Sequence, residues 1–208
     1  MADINDKFAK HKIIPVIALD NADDSEKLAE ALISGGLPVA EITFRTAAAE
    51  ESIKRVSKAF PDMLVGAGTV MNAEQAKRAM EAGAKFVVTA GFSKEVAGFC
   101  FDNELPLFPG VCTPTELMFL AEFGLKVAKF FPAVQFGGVA TLKAFSGPFT
   151  DMRFIPTGGI SDKNILEFLA FPKVLACGGS WMVKKEMIAA GDFAGISALT
   201  AKAVELVG

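Results

Sequence analysis

The chain has 208 residues, half of them hydrophobic, with nineteen Phe, one Trp, no Tyr and a formal charge of -3. That length supports one sizeable core and a single domain over 1–208, while Lys and Arg scattered without a basic stripe exclude a nucleic-acid partner. Three widely spaced cysteines (Cys100, Cys112, Cys177) and a sole histidine, His11, exclude a disulfide framework, a zinc site and His-based triads, so no metal or cofactor is expected. With no apolar h-region at the N-terminus and no apolar run near the ~20 residues of a membrane helix, a cytoplasmic protein without a membrane partner is expected.

After a short amphipathic N-terminal helix, strand-like and helix-like stretches alternate to the end. Ile13 to Leu19 reads as a β-branched strand, followed by a helix from Asp24 to Ser34 that Gly35-Gly36 stops. Val39 to Arg45 and Leu64 to Val70 are the next strands, with helices Ala47 to Phe60 and, capped by Asn72, up to Glu81. Phe86 to Ala90, Leu107 to Val111 and Val127 to Pro132 continue the series, and Pro114 marks a helix start between the last two. Arg153 to Thr157 and Val174 to Cys177 complete eight strands, with helices over Ser161 to Ala170, near Lys185 and from Phe193 to Leu206. Eight βα units predict an α/β fold of the (β/α)8 TIM-barrel type. An open doubly wound sheet uses the same alternation, but the first strand-helix turn lacks G-x-G-x-x-G.

Residues two apart in a strand share a face. Glu41, Thr43 and Arg45 therefore lie together, and because helices cover the outside of a parallel barrel, this polar face looks inward. The same parity puts Lys129 inside, on Val127-Ala128-Lys129-Phe130-Phe131-Pro132. A Lys129 to Glu41 salt bridge that merely fills the interior is the plainer alternative, yet such pairs seldom repay their desolvation. A buried amine near a guanidinium is instead expected to lose its proton and become a nucleophile. The third strand is expected to add Val65, Ala67 and Thr69 to the interior, a face of small residues ending in a hydroxyl, while Gly66 and Gly68 face the other way or allow close approach of neighbouring strands. Arg45 and Thr69 offer a carboxylate clamp at the strand ends. Gly158-Gly159 and Gly178-Gly179-Ser180, closing consecutive strands, suit a phosphate. Together these residues predict a phosphorylated 2-keto acid as substrate and Schiff-base chemistry, with a glutamate to move protons.

Along nearly its whole length the sequence resembles the class I 2-keto-3-deoxy-6-phosphogluconate and 4-hydroxy-2-oxoglutarate aldolases. The motifs that carry the resemblance are Glu41-Ile42-Thr43-Phe44-Arg45-Thr46, Gly66-Ala67-Gly68-Thr69-Val70, Pro109-Gly110, Thr115-Glu116-Leu117, Lys129-Phe130-Phe131-Pro132-Ala133, Pro156-Thr157-Gly158-Gly159-Ile160 and Gly178-Gly179-Ser180-Trp181. The resemblance implies a (β/α)8 homotrimer that releases pyruvate and glyceraldehyde 3-phosphate. It further implies Lys129 as the Schiff-base lysine and Glu41 as the general acid/base. Arg45 and Thr69 would hold the carboxylate, and Gly158, Gly159, Gly179 and Ser180 the phosphate. Phe131, Pro132 and Thr157 would line the pocket. Many members carry an Arg in the first strand, where this chain has Ile17-Ala18-Leu19. Two other activities fit parts of the pattern: an aldolase for the galactonate-derived epimer, and a cofactor-free phosphate-binding isomerase or synthase. A non-catalytic phospho-sugar sensor is the third.

Overall fold

A computed structural model describes residues 2–208. Helix α1 (Ala2–His11) precedes the alternating units. These are β1 (Ile13–Ile17), α2 (Ser25–Ser34), β2 (Val39–Thr43), α3 (Ala49–Ala59), β3 (Leu64–Gly68), α4 (Ala73–Glu81), β4 (Val87–Val88) and α5 (Lys94–Asp102). Next come β5 (Leu107–Phe108), β6 (Gly110–Val111), α6 (Pro114–Glu122), β7 (Val127–Phe130), α7 (Gly138–Ser146) and β8 (Arg153–Pro156). The chain ends with α8 (Ile165–Leu169), β9 (Cys177–Gly179), α9 (Lys185–Ala189) and α10 (Phe193–Val207).

The local signals act where the sequence places them. Asn72 caps α4 by accepting from the Gln75 N–H, and Ser93 caps α5 through the Val96 N–H. Thr113 opens α6 with Pro114 in the first turn and a reciprocal box with Glu116, whose carboxylate accepts from the N–H groups of Cys112 and Thr113 at 2.8 and 2.9 Å. In α3 the buried residues Ala49, Ser52, Ile53 and Val56 recur at helical spacing, leaving the charged residues outside. Every residue of β2 and β3 is buried, as strands covered on both faces must be.

All strand pairs are parallel. The ladder divides into a six-stranded sheet in the order β5-β4-β3-β2-β1-β9 and a three-stranded sheet β6-β7-β8. The eight unbroken strands expected from the alternation are therefore not what the hydrogen bonds give. The fifth is split at Pro109, which has no N–H to donate, although its carbonyl still accepts from Lys129 N–H at 2.8 Å. On the other side the two sheets meet only through single bridges, Phe154 to Val174 and Thr157 to Gly178. The architecture is a curled parallel α/β sheet with helices outside it.

One connected apolar core fills the interior. Phe8 of α1, fully buried, lies 5.1 Å from the ring centroids of both Phe86 and Phe108, so the N-terminal helix closes the end where the strands begin. The polar interior lies at the opposite end, where the strands finish. Within the described residues no helix is long and apolar enough to cross a membrane.

Candidate active site

Glu41 is 2 % exposed and Lys129 6 %. Parity brought both inward, and the structure joins them: Lys129 Nζ lies 3.4 Å from Glu41 Oε1. They reach each other from β2 and β7, on different sheets. A 3.4 Å separation is long for a charge-assisted hydrogen bond, leaving the amine loosely held. The same Nζ stands 5.2 Å from the Phe131 ring centroid, an apolar face against which a cation or an iminium is comfortable.

The third strand corrects the face assigned to it. Val65, Ala67 and Thr69 were expected to line the interior, but in the parallel register Glu41 faces Gly66 and Thr43 faces Gly68. It is these glycines that look inward. A Cβ on Gly68 would lie 2.3 Å from Glu41 Oε1, and one on Gly66 would lie 2.3 Å from the Phe86 ring. Gly68 thus makes the volume that the carboxylate occupies. Thr69 reaches the site by another route: the strand ends at Gly68, and Thr69 turns with φ +55°. A left-handed backbone is costly for a β-branched residue, and such strain gathers at functional sites.

The second strand ends at Thr43, so Arg45, expected within it, stands in the following turn with an exposed side chain. Its Nε donates to Thr43 Oγ1 at 3.0 Å, and the Thr43 hydroxyl donates in turn to the Ile17 carbonyl at 2.7 Å.

A cavity of about 270 Å3 gathers most of the expected residues at the strand ends. Its wall includes Arg45, Thr69, Lys129, Phe131, Thr157, Gly158, Gly159, Gly179 and Ser180, and also Val16, Ala90, Ile160 and Gly178. Glu41 lies behind Lys129 rather than on the wall. Pro132 stands behind Gly158, where a Cβ would come within 3.1 Å of Pro132 Cα. Gly158 and Gly159 take φ of +99° and +77°, and Asn164 pins their turn by donating to the Gly159 carbonyl at 2.9 Å. Among the described residues the N–H groups of Gly159 and Ser180 have no acceptor, which leaves two main-chain donors at one end of the cavity.

Two features of the wall escaped the sequence. Val16 pairs with Glu41 in register, a relation invisible without knowing which strands are neighbours. Ala90 is brought in by the close approach of Gly110, whose added Cβ would lie 2.1 Å from the Ala90 carbonyl oxygen. Cys177, next to Gly178, is not a competing nucleophile: burial pushes its thiol up to about 12, so it stays protonated. Among the described residues no cluster of His, Cys, Asp or Glu is arranged to hold a metal.

A buried amine beside a carboxylate, facing a cavity with a guanidinium on one side and main-chain donors on another, can attack a ketone, move a proton and hold a dianion. Residues 4–199 match the family model for KDPG and KHG aldolase. The 2-dehydro-3-deoxy-phosphogluconate aldolase of Treponema pallidum (strain Nichols) is 45 % identical over 208 residues, covering 100 % of this chain and 99 % of its own length. Among solved structures, a KDPG aldolase from Legionella pneumophila, with pyruvate captured as a covalent carbinolamine, superimposes with a TM-score of 0.92 at 40 % identity, covering 95 % of this chain and 96 % of that one. The Zymomonas mobilis ZM4 enzyme, solved with 3-phosphoglycerate, gives a TM-score of 0.90 at 38 % identity and covers 98 % and 96 %. With a full-length relative at this identity and a family model spanning almost all of its residues, the chain belongs to the KDPG and KHG aldolase family.

Proposed function

We propose that this protein is a Schiff-base aldolase that cleaves 2-keto-3-deoxy-6-phosphogluconate to pyruvate and glyceraldehyde 3-phosphate, and 4-hydroxy-2-oxoglutarate to pyruvate and glyoxylate. The observation that carries the reading is the buried contact between Lys129 Nζ and Glu41 Oε1 at the cavity with Arg45 and the glycine turns. The substrate carboxylate binds Arg45 and Thr69, and its phosphate takes the N–H groups around Gly158, Gly159, Gly179 and Ser180. Phe131, Pro132 and Thr157 shape the space between.

The neutral Lys129 amine adds to the C2 carbonyl, and the carbinolamine takes up a proton from solvent and loses water to leave an iminium. Glu41, directly or through a water, removes the C4 hydroxyl proton. The C3–C4 electron pair then moves into the iminium, giving an enamine and the free aldehyde. Returning that proton to C3 and adding water to the iminium releases pyruvate, gives back the proton taken up from solvent and restores the Lys129 amine. The iminium supplies the electron sink and Glu41 the proton transfers, so every atom is accounted for without a metal or cofactor.

The two sheets together form one closed eight-stranded barrel, supported by the adjacency of β5 and β6 and by the two bridges between β8 and the β9 segment. The single core supports one domain over 1–208. Assembly as a homotrimer and a cytoplasmic location complete the reading, both resting on family membership. Incubation with pyruvate and borohydride, followed by peptide mass analysis, should place a reduced pyruvyl adduct on Lys129, and Lys129→Ala should abolish it. An unmodified Lys129 peptide with activity intact would overturn the mechanism. Cleavage rates on the gluconate- and galactonate-derived epimers, with and without phosphate, test the substrate.

A further inference from the structure

Arg45 is the exposed cation of the site, and a long side chain at a turn ordinarily samples many rotamers at a cost to any geometry it must adopt. Here it is held from one side only. The Thr43 hydroxyl is fully buried and has one proton: it donates that proton to the Ile17 carbonyl at 2.7 Å and accepts Arg45 Nε–H at 3.0 Å. The donor direction is fixed because a carbonyl cannot donate and Nε–H cannot accept. Thr43 therefore ties the last residue of β2 to β1 and the guanidinium to both.

An arginine can grip a carboxylate side-on, through Nε and one Nη, or end-on, through both Nη groups. With Nε already engaged, the side-on mode is blocked. Among the described residues neither Nη of Arg45 has a protein acceptor, and Arg45 lines the same cavity as Lys129. We infer that Thr43 is a positioning residue that orients Arg45 so that its two Nη groups meet the 2-keto-acid carboxylate end-on, setting the affinity for the acid rather than the rate of carbon–carbon cleavage. The inference rests on the aldolase reading. It also bears on Ile17-Ala18-Leu19, a first strand with no arginine of its own: the strand serves the acid through the Ile17 backbone carbonyl, which anchors the arginine of its neighbour.

The experiment compares Thr43→Val, which keeps the shape and loses both hydrogen bonds, with Thr43→Ser, which keeps the hydroxyl, each alone and with Arg45→Ala. The readouts are KM and kcat on the phosphorylated substrate and the pyruvate concentration giving half-maximal borohydride inactivation. Expected for Thr43→Val is a rise of roughly tenfold in KM and in half-saturating pyruvate, from loss of a hydrogen bond to a charged group, with kcat within about twofold. Thr43→Ser should stay within about twofold on all three readouts. In the Arg45→Ala background Thr43→Val should add nothing, as coupled partners require. Unchanged KM in Thr43→Val, failure of Ser to rescue, or an equal rise without Arg45 would each overturn the inference. If Thr43→Val does not fold, Thr43→Ala carries the same comparison. Failure of the wild-type enzyme to be trapped at all would strike the aldolase reading instead, and is read from a separate sample.

Discussion

Lys129 and Glu41 are useful to each other because neither is bound tightly. A short, fully satisfied ion pair would occupy both groups; at 3.4 Å they stay available to a substrate atom placed between them. Replacing Glu41 by Gln keeps the volume and removes the base. Borohydride should still trap pyruvate on Lys129, while the cleavage rate falls about a hundred- to ten-thousandfold. Gly68 bears on the same carboxylate from behind. Because its added Cβ would lie 2.3 Å from Glu41 Oε1, Gly68→Ala must displace the acid, and kcat should drop on the order of a hundredfold with half-saturating pyruvate little changed. A kcat equal to wild type would show that Glu41 has room to retreat. Side-chain parity was sufficient to bring Lys129 and Glu41 inward and together, since each lies within its strand. It assigned the wrong face to Val65 and Ala67, and Thr69 reaches the cavity wall only because the backbone turns left-handed after Gly68, a turn no residue type announced.

Among the elements, β3 shows what a sequence hides. Its two glycines look like weak strand formers, and only the register Glu41 to Gly66 and Thr43 to Gly68 reveals that they make room for side chains of β2 and for Phe86. The order of strands and helices, by contrast, was legible, because apolar runs alternate in period along the chain and breaks such as Gly35-Gly36 after α2, Asn72 before α4 and Pro114 opening α6 punctuate them. Strand lengths were not, since they depend on neighbours: Pro109 breaks one strand and the site turns shorten others. Helix α1 contributes one large side chain to the closed end. Phe8→Ala should cost about 3–5 kcal/mol in denaturant unfolding, as the loss of a buried aromatic does, and leave kcat unchanged in the fraction that remains folded. A loss of activity at full stability would mean that α1 communicates with the strand ends.

For the molecule as a whole, the distribution of thiols records how completely the interior excludes water. Burial pushes Cys100 and Cys177 up to about 12, whereas half-buried Cys112, raised by burial and by the Glu116 carboxylate, keeps some access. Alkylation of the native protein at about pH 8 should therefore label Cys112 first and spare the other two until the protein unfolds. The same shifts act on stability. An unfolded thiol ionises near its ordinary value of about 8.5, so the contribution of the neutral buried thiols is complete below that pH and is lost as pH rises from there toward about 12. Melting temperature should fall across that alkaline range, and less steeply in Cys177→Ala. A flat profile in the wild type would contradict the burial.

Phe8 has one more effect, on the order of events. With its ring packed against Phe86 and Phe108, the strand-start end of the interior is filled, and the cavity that Lys129 lines lies at the strand ends. In the reaction proposed above, the three-carbon fragment is still fastened to Lys129 after cleavage, while the phosphorylated aldehyde is held by the main-chain donors proposed for its phosphate. On that reading the aldehyde leaves first. In the synthetic direction the order reverses: pyruvate is loaded and fastened before the aldehyde arrives, so an aldehyde that enters early fills the strand-end cavity and should appear as a substrate inhibitor competitive with pyruvate.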